Sequence, residues 1–119
     1  MHIRLFLNLA VCASLSIPAL AHHGWTGYDE GNTLNVTGTI RESTYDNPHA
    51  TARVQADGEN GKTWVAILAP PSRMQARGLP KDAIKPGTKT TLVGYPSKTN
   101  PEEMRIERMI IDGKTVELR

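Results

Sequence analysis

The sequence is poor in cysteine and in aromatic residues. Its 119 residues include one cysteine and one phenylalanine, Cys12 and Phe6, with two tryptophans and three tyrosines. A single thiol excludes an internal disulfide framework and a zinc site built from several thiolates. The formal net charge is only +2 and no long basic run is present. The composition therefore argues against nucleic acid as the main partner, since that role usually needs a basic stripe.

Long hydrophobic runs are also missing, apart from the first 21 residues. That stretch has a basic start and an apolar middle, and it ends in the small-residue sequence Ala19-Leu20-Ala21, as in a secretory signal peptide. No later segment approaches the roughly 18–20 apolar residues of a membrane span. We therefore expect a signal peptide over residues 1–21, no transmembrane segment, and a periplasmic or secreted protein that begins at His22.

An alternative interpretation of the leader is a lipid anchor. The run Leu9-Ala10-Val11-Cys12 loosely resembles the lipobox of bacterial lipoproteins, which would make Cys12 a lipidated first residue. Val11 fits poorly at the position before the cysteine, and the apolar run ahead of it is short. We favour simple cleavage after Ala21, and only that cleavage gives His22 a free α-amine.

Beyond the leader, β-branched residues alternate with polar ones, a pattern typical of strands. Residues 22–32 are predicted to form a flexible glycine-rich arm, held to the body by Trp25 and Tyr28, before a single β domain over residues 33–119. Gly38 predicts a bend or bulge in the first strand. The predicted strands are residues 33–45, 49–56, 62–68, 88–95, 104–111 and 114–118, with a helix over residues 71–77 and a connector over residues 79–87.

This order of elements predicts the fold. Three strands, a short helix and two or three further strands are the order of an OB-type barrel. We therefore predict an all-β protein, a small OB-like barrel of five to six strands with one short helix. A small β-sandwich is the alternative. Met74, Met104 and Met109 are too scattered for a thioether copper site and are predicted to fill the core.

Several short phrases resemble one family. They are His22-His23-Gly24-Trp25, Asn47-Pro48-His49, Ala69-Pro70-Pro71-Ser72-Arg73, Val93-Gly94-Tyr95-Pro96, Glu103-Met104-Arg105, Asp112-Gly113 and Glu117-Leu118-Arg119. With them, nearly all of the chain after the leader resembles small exported bacterial proteins called domain of unknown function six-one-five-two. The resemblance implies an envelope location and a small β-barrel, and it implies no activity, substrate or catalytic residue.

Three histidines follow the predicted cleavage site. A histidine at the first position can chelate a metal through its α-amine and its Nδ1, and a further imidazole can complete a three-nitrogen set. Such a set suits Cu(II), which prefers tetragonal nitrogen ligands. We therefore predict a copper site, or one for a related transition metal, formed by His22 and His49, with His23 as substitute or extra ligand. The competing interpretation is an ordinary terminus, with His49 only capping a turn.

A second hypothesis needs no metal. The Pro70–Arg73 corner and the loop after Tyr95 are candidates for a ligand surface together with Trp64, since exposed aromatics on OB strands stack on bases or sugars. Trp64 is nevertheless predicted to be mainly a core residue. Four basic side chains could donate to an anion, but a scattered basic surface is usually only solvated. These are Arg73, Arg77, Lys98 and Arg105.

The motifs of catalysis are missing. No serine has a nucleophile-elbow context, there is no phosphate-cradling glycine loop, and Glu102 and Glu103 fall in a predicted loop where their charges are expected to be free. The sequence therefore predicts an exported, non-enzymatic binding protein of the bacterial envelope, with copper as the leading ligand. The alternative is a metal-free OB-type binding or assembly module for a protein, peptide or saccharide.

Overall fold

Six strands form one sheet in the computed structural model, which describes residues 24–58 and 60–119. The strands are β1 (Leu34–Thr44), β2 (Thr51–Ala56), β3 (Thr63–Ile67), β4 (Lys89–Pro96), β5 (Glu103–Ile111) and β6 (Lys114–Glu117). Each lies within about two residues of a predicted strand. The predicted signal peptide, His22 and His23 lie outside the described residues.

The sheet closes on itself. Its strand order is β3-β2-β1-β4-β5-β6, and β3 also pairs in parallel with β5 through Val65–Glu103 and Ile67–Arg105. Strands β1 to β5 therefore form a closed five-stranded barrel, and β6 pairs with the second half of β5. Three strands precede the helix and two complete the ring, so the prediction of a small OB-like barrel is confirmed.

The segment between β3 and β4 contains the one predicted helix. Helix α1 (Pro71–Ala76) starts with proline in its first turn, where a missing N–H costs nothing, and Gly78 follows it with a φ of 87°. The predicted connector contains a 3-10 turn, Lys81–Ile84, that the sequence analysis missed. Among the described residues, no helix is long and apolar enough to cross a membrane.

Two glycines are required by close contact between strands. A Cβ on Gly38 would overlap the carbonyl oxygen of Gln55, and a Cβ on Gly94 would overlap that of Arg105. The register of β1 with β2 shifts between Ile40 and Glu42, so the bulge of this strand does not lie at Gly38. Gly38 therefore allows neighbouring backbones to approach, and the irregularity lies two residues further on.

Gly94→Ala is expected to destabilise the protein by about 1–3 kcal/mol, the usual cost of forcing extra atoms into a packed site. The added methyl has to displace the backbone of β5 at Arg105. Urea unfolding measures the change. Gly27→Ala is the matched control, because a Cβ there meets nothing within 4 Å, and it is expected to change stability by under about 0.5 kcal/mol. Equal effects of the two changes would contradict the β4–β5 pairing.

The core lies inside the barrel and under α1. The predicted core methionines, Met74, Met104 and Met109, are all fully buried, and that prediction is confirmed. Trp64 packs against the margin of the core and is half-buried. The Nζ of Lys62 lies 3.8 Å from the centroid of its ring. The expectation that Trp64 is a main core residue is therefore wrong, because the indole is only partly buried and Lys62 lies over its ring.

Candidate functional site

The described part of the arm, residues 24–32, lies against the end of β4 and the start of β5. The Asp29 N–H donates to the Pro96 carbonyl at 2.9 Å, and Tyr28 forms an isolated antiparallel bridge with Ser97. Tyr28 is buried, and Trp25 is half-buried. These contacts bring two aromatic rings over the outer surface of β5.

Arg105 is a buried arginine on the outer side of β5. Its neighbours Met104 and Ile106 belong to the core, so alternation along the strand points Arg105 away from the interior. The arm nevertheless covers it, with Arg105 Cζ 4.8 Å from the centroid of the Trp25 ring. The residue is only 5% exposed. A charged side chain at this depth is costly unless it is paired and hydrogen-bonded.

The hydrogen bonds of Arg105 are incomplete. Its Nη2 lies 3.3 Å from Nε2 of His49. A guanidinium only donates, so Nε2 of His49 is the acceptor and the ring proton lies on Nδ1. Arg105 Nε and Nη1 are buried and meet no acceptor among the residues that the structure describes. Buried donors without acceptors are rare in native proteins, so these two nitrogens mark Arg105 as an unusual residue.

Other charges surround Arg105. Burial is the main reason that the pKa of its guanidinium is lowered, and the nearby charges of Arg73 and Arg119 act in the same direction. Arg119 is paired, with Nη1 2.6 Å from Oε1 of Glu30. Arg73 donates from Nη1 to the carbonyl of Leu118 at 3.2 Å. Within the described ranges neither Arg73 nor Arg105 has a carboxylate partner, but Arg73 is exposed to water whereas Arg105 is buried, so the positive charge of Arg105 is the least compensated of the three.

Two tyrosines donate hydrogen bonds to the nearby glutamates. The Tyr28 hydroxyl donates to Oε2 of Glu103 at 2.9 Å, and the Tyr95 hydroxyl donates to Oε2 of Glu107 at 2.5 Å. The expectation that the charge of Glu103 is free is therefore wrong, because Glu103 begins β5 and faces the arm. Tyr95 also meets Trp25 edge to face, with ring centroids 6.0 Å apart.

Alkaline pH is expected to weaken the Tyr28–Glu103 contact. Burial, and then the hydrogen bond to Glu103, raise the pKa of Tyr28 from 10.0 to about 12. Because the pKa is higher in the folded state, the stabilisation is complete below pH 10 and is lost as the pH rises through about 12. Tyr28→Phe is expected to lower the free energy of unfolding by about 1–2 kcal/mol at pH 8, with a smaller difference at pH 11. Denaturant unfolding at both pH values measures it.

Glu103→Gln is the control for this pH dependence. The amide keeps an oxygen that accepts from Tyr28 but removes the negative charge that raises the pKa of Tyr28. We expect this variant to retain more of its stability between pH 10 and 11 than the unaltered protein does. A wild-type stability that stays level above pH 10 would contradict the contact.

Three of the predicted site residues lie in or beside one cluster. We define the arginine–aromatic cluster as Trp25, Tyr28, His49, Tyr95, Arg105 and Arg119. His49 and Tyr95 are members, and Arg73 is a neighbouring charge. Trp64 is not a member, since its ring contact is with Lys62 on its own hairpin. No group of three potential metal ligands occurs among residues 24–58 and 60–119, and His22 and His23 fall outside that search.

Arg105 is the residue whose role the sequence analysis misjudged. It appeared there as one of four basic donors on a solvated surface, but the arm buries it almost completely. The cluster presents unsatisfied N–H donors beside aromatic rings. That combination can bind an oxyanion and pack against the group that carries it.

Comparison with known proteins shows the family of this chain and names no activity. A family model described as a family of unknown function, DUF6152, matches residues 10–104. The chain belongs to this family. The match includes His49, Tyr95 and Glu103 of this DUF6152 member and ends one residue before Arg105. No curated protein matches the chain. The resemblance seen in the sequence is thus confirmed, and the function has to be argued from the cluster.

Proposed function

We propose that this DUF6152 protein is a non-enzymatic binding module of the bacterial envelope that holds an anionic ligand at Arg105. The observation that carries the proposal is the pair of buried nitrogens, Nε and Nη1, that meet no acceptor among the described residues. A buried, unpaired cation destabilises a fold. An anion that accepts from one of these donors would supply a counter-charge and reduce that cost, so its binding would be favourable.

The hydrogen bonds around the cluster support an anion over a cation. Glu103 and Glu107 accept from tyrosines, and Glu30 pairs with Arg119. The carboxylates around the cluster thus already have hydrogen-bond or ion-pair partners, whereas two donors of Arg105 have no described acceptor. An anion that reaches Arg105 meets buried donors in a site of low dielectric, where its attraction to the guanidinium is stronger than in water.

Calorimetric titration with sodium acetate, benzoate and phosphate at constant ionic strength tests the proposal. We expect saturable binding of at least one anion to the unaltered protein and no binding to Arg105→Met. Arg53→Met is the matched control, because Arg53 is an exposed arginine on β2 and its loss should leave binding unchanged. Failure of all three anions to bind, or equal binding by Arg105→Met, would overturn the proposal.

Copper is the second candidate, and one observation favours it. Trp25 and His49 both contact Arg105. His22 is three residues before Trp25, a separation of at most about 11 Å along the chain. A protein cleaved after Ala21 would therefore carry its amine and first imidazole within reach of His49. The contact between Arg105 and Nε2 opposes this, since a metal at that nitrogen would have to displace a cation.

The two candidates predict opposite effects of one substitution. Arg105→Met removes the cation beside His49, so it should tighten Cu(II) binding by His49 while abolishing anion binding. Cu(II) titration should compare protein cleaved after Ala21 with protein bearing one additional N-terminal residue. Weaker binding by the extended protein supports the copper site, and equal affinity removes the amine from it.

A further inference from the structure

We propose that the outer edge of β6 is a docking site for an extended, acidic segment of another protein, which adds to the sheet as a further strand. Two features carry this inference: unpaired backbone groups along that edge, and an apolar cavity beside it. The site is separate from the anion site and does not rest on it. Arg105 lies near the start of β5, whereas the cavity lies at its last residue, Ile111.

The turn before β6 fixes which of its backbone groups face β5. Asp112 and Gly113 have φ values of 51° and 73°, as in a two-residue type I′ turn. The residues that flank such a turn, here Ile111 and Lys114, exchange backbone hydrogen bonds. The same alternation continues to Leu118, whose N–H donates to a carbonyl of β5 at 2.8 Å. Alternate residues of β6, starting from Lys114, therefore direct their backbone groups toward β5.

The other two residues of β6, Thr115 and Glu117, present their backbone groups to the outer edge. The Glu117 carbonyl accepts from Nη1 of Arg77 at 3.1 Å, so this edge faces the end of α1. In the described part of the chain, no backbone group pairs with the N–H or C=O of Thr115 or with the N–H of Glu117. Donors and acceptors at this spacing match the backbone of another extended strand.

A cavity of about 560 Å³ lies between β6 and the connector that follows α1. Its apolar wall consists of the buried side chains of Leu79, Ile111 and Val116. The volume is within the range of natural ligand pockets. Because side chains alternate along a strand, the residue of an added strand that lies opposite Val116 directs its side chain to the same face as Val116. An apolar residue at that position would fill part of the cavity.

Basic side chains outnumber acidic ones around the cavity. The charged residues that line it are Arg77, Lys85, Lys89 and Lys114, against Asp82 and Asp112. Lys114 is exposed and has no carboxylate partner within residues 24–58 and 60–119. It lies two residues before Val116, so the two side chains share a face of β6. The site therefore fits an extended segment with an acidic residue two positions from an apolar one.

Fluorescence anisotropy with a labelled peptide tests the proposal. The probe is Thr-Asp-Thr-Leu-Thr-Asp-Thr with blocked ends, whose symmetric pattern suits either strand direction. We expect saturable binding, and at least tenfold weaker binding when serine replaces the leucine or lysine replaces both aspartates, because these changes remove the apolar contact or the attraction to Lys114. Failure of the probe to approach saturation by about 1 mM would overturn the proposal.

Thr115→Pro removes one outward N–H group of β6. Proline is tolerated on an edge strand where the N–H faces solvent, so the pairing of β6 with β5 should persist. We expect Thr115→Pro to bind the probe at least tenfold more weakly, and Thr115→Val, which keeps the N–H, to bind it as the unaltered protein does. Equal binding by the two variants would contradict strand addition.

Amide hydrogen exchange of the unaltered protein measures the pairing without a substitution. Saturation with the probe should slow exchange at Thr115 and Glu117 at least tenfold and leave Val116, whose N–H already faces β5, unchanged. Probe binding without this protection would mean that only side chains engage the cavity, and strand addition would be wrong. Self-association of the free protein that Thr115→Pro abolishes would assign the edge to a second copy of the chain, and it would also overturn the proposal.

Discussion

Arg105→Met is expected to abolish anion binding and to leave the free protein at least as stable as before. Truncating a buried charged contact usually costs about 2–5 kcal/mol of binding free energy, so the dissociation constant should rise by at least about 30-fold. The folded protein loses a buried guanidinium with two nitrogens that lack described acceptors. We therefore expect the free energy of unfolding to change by less than about 1 kcal/mol or to rise.

Urea unfolding of the ligand-free protein measures the second half of this prediction. Arg53→Met, on the exposed face of β2, controls for the general effect of replacing arginine by methionine. A loss of about 3–5 kcal/mol in Arg105→Met would be the usual result of breaking a satisfied buried ion pair. That result would make Arg105 a structural residue and would contradict its proposed role as a binding residue.

Met109→Ala is expected to cause the largest loss of stability, about 2–5 kcal/mol. Met109 is fully buried in the core cluster, so its removal leaves a cavity that the closed barrel cannot collapse to fill. Urea unfolding again gives the measurement. The same variant should still bind benzoate under conditions where it is folded, because Met109 belongs to the core whereas Arg105 lies on the outer side of β5.

Ile110→Ala is the matched control for the core. Ile110 is adjacent on β5 but points outward and is 39% exposed, so its loss should cost under about 1 kcal/mol. A larger effect at Ile110 than at Met109 would mean that β5 presents its other face to the interior. It would therefore contradict the registers that pair Met109 with the core residues Leu92 and Val116.

The elements of the fold could be predicted from local pattern. Alternation of β-branched and polar residues predicted each strand, and Pro71 with Gly78 predicted α1. The closure of the barrel could not be read in the same way. The parallel pairing of Val65 with Glu103 joins segments far apart in sequence, and periodicity states which residues are buried without naming their partners. The closure of the barrel was predicted only by analogy, from an order of strands and helix that matches OB-type barrels.

The site was harder to predict than the fold. Arg105 stands between two core residues in an alternating strand, a pattern that predicts an exposed side chain. Its burial comes from the arm, whose glycine-rich sequence has no period from which a position could be inferred. His49 and Arg105 are 56 residues apart, and only the folded barrel brings them together. A sequence signal was present in Trp25 and Tyr28, the aromatic residues of an otherwise polar arm.

Nuclear magnetic resonance of the Arg105 side chain tests the central claim most directly. The Nε–H of a buried guanidinium exchanges slowly enough to give its own signal, and Arg105→Lys assigns it by its disappearance. During titration with benzoate at constant ionic strength, we predict that this signal moves downfield and saturates as Nε donates to the carboxylate. An Nε–H signal that stays in place while benzoate saturates the protein would contradict an anion site at Arg105. The absence of any benzoate binding would contradict it as well.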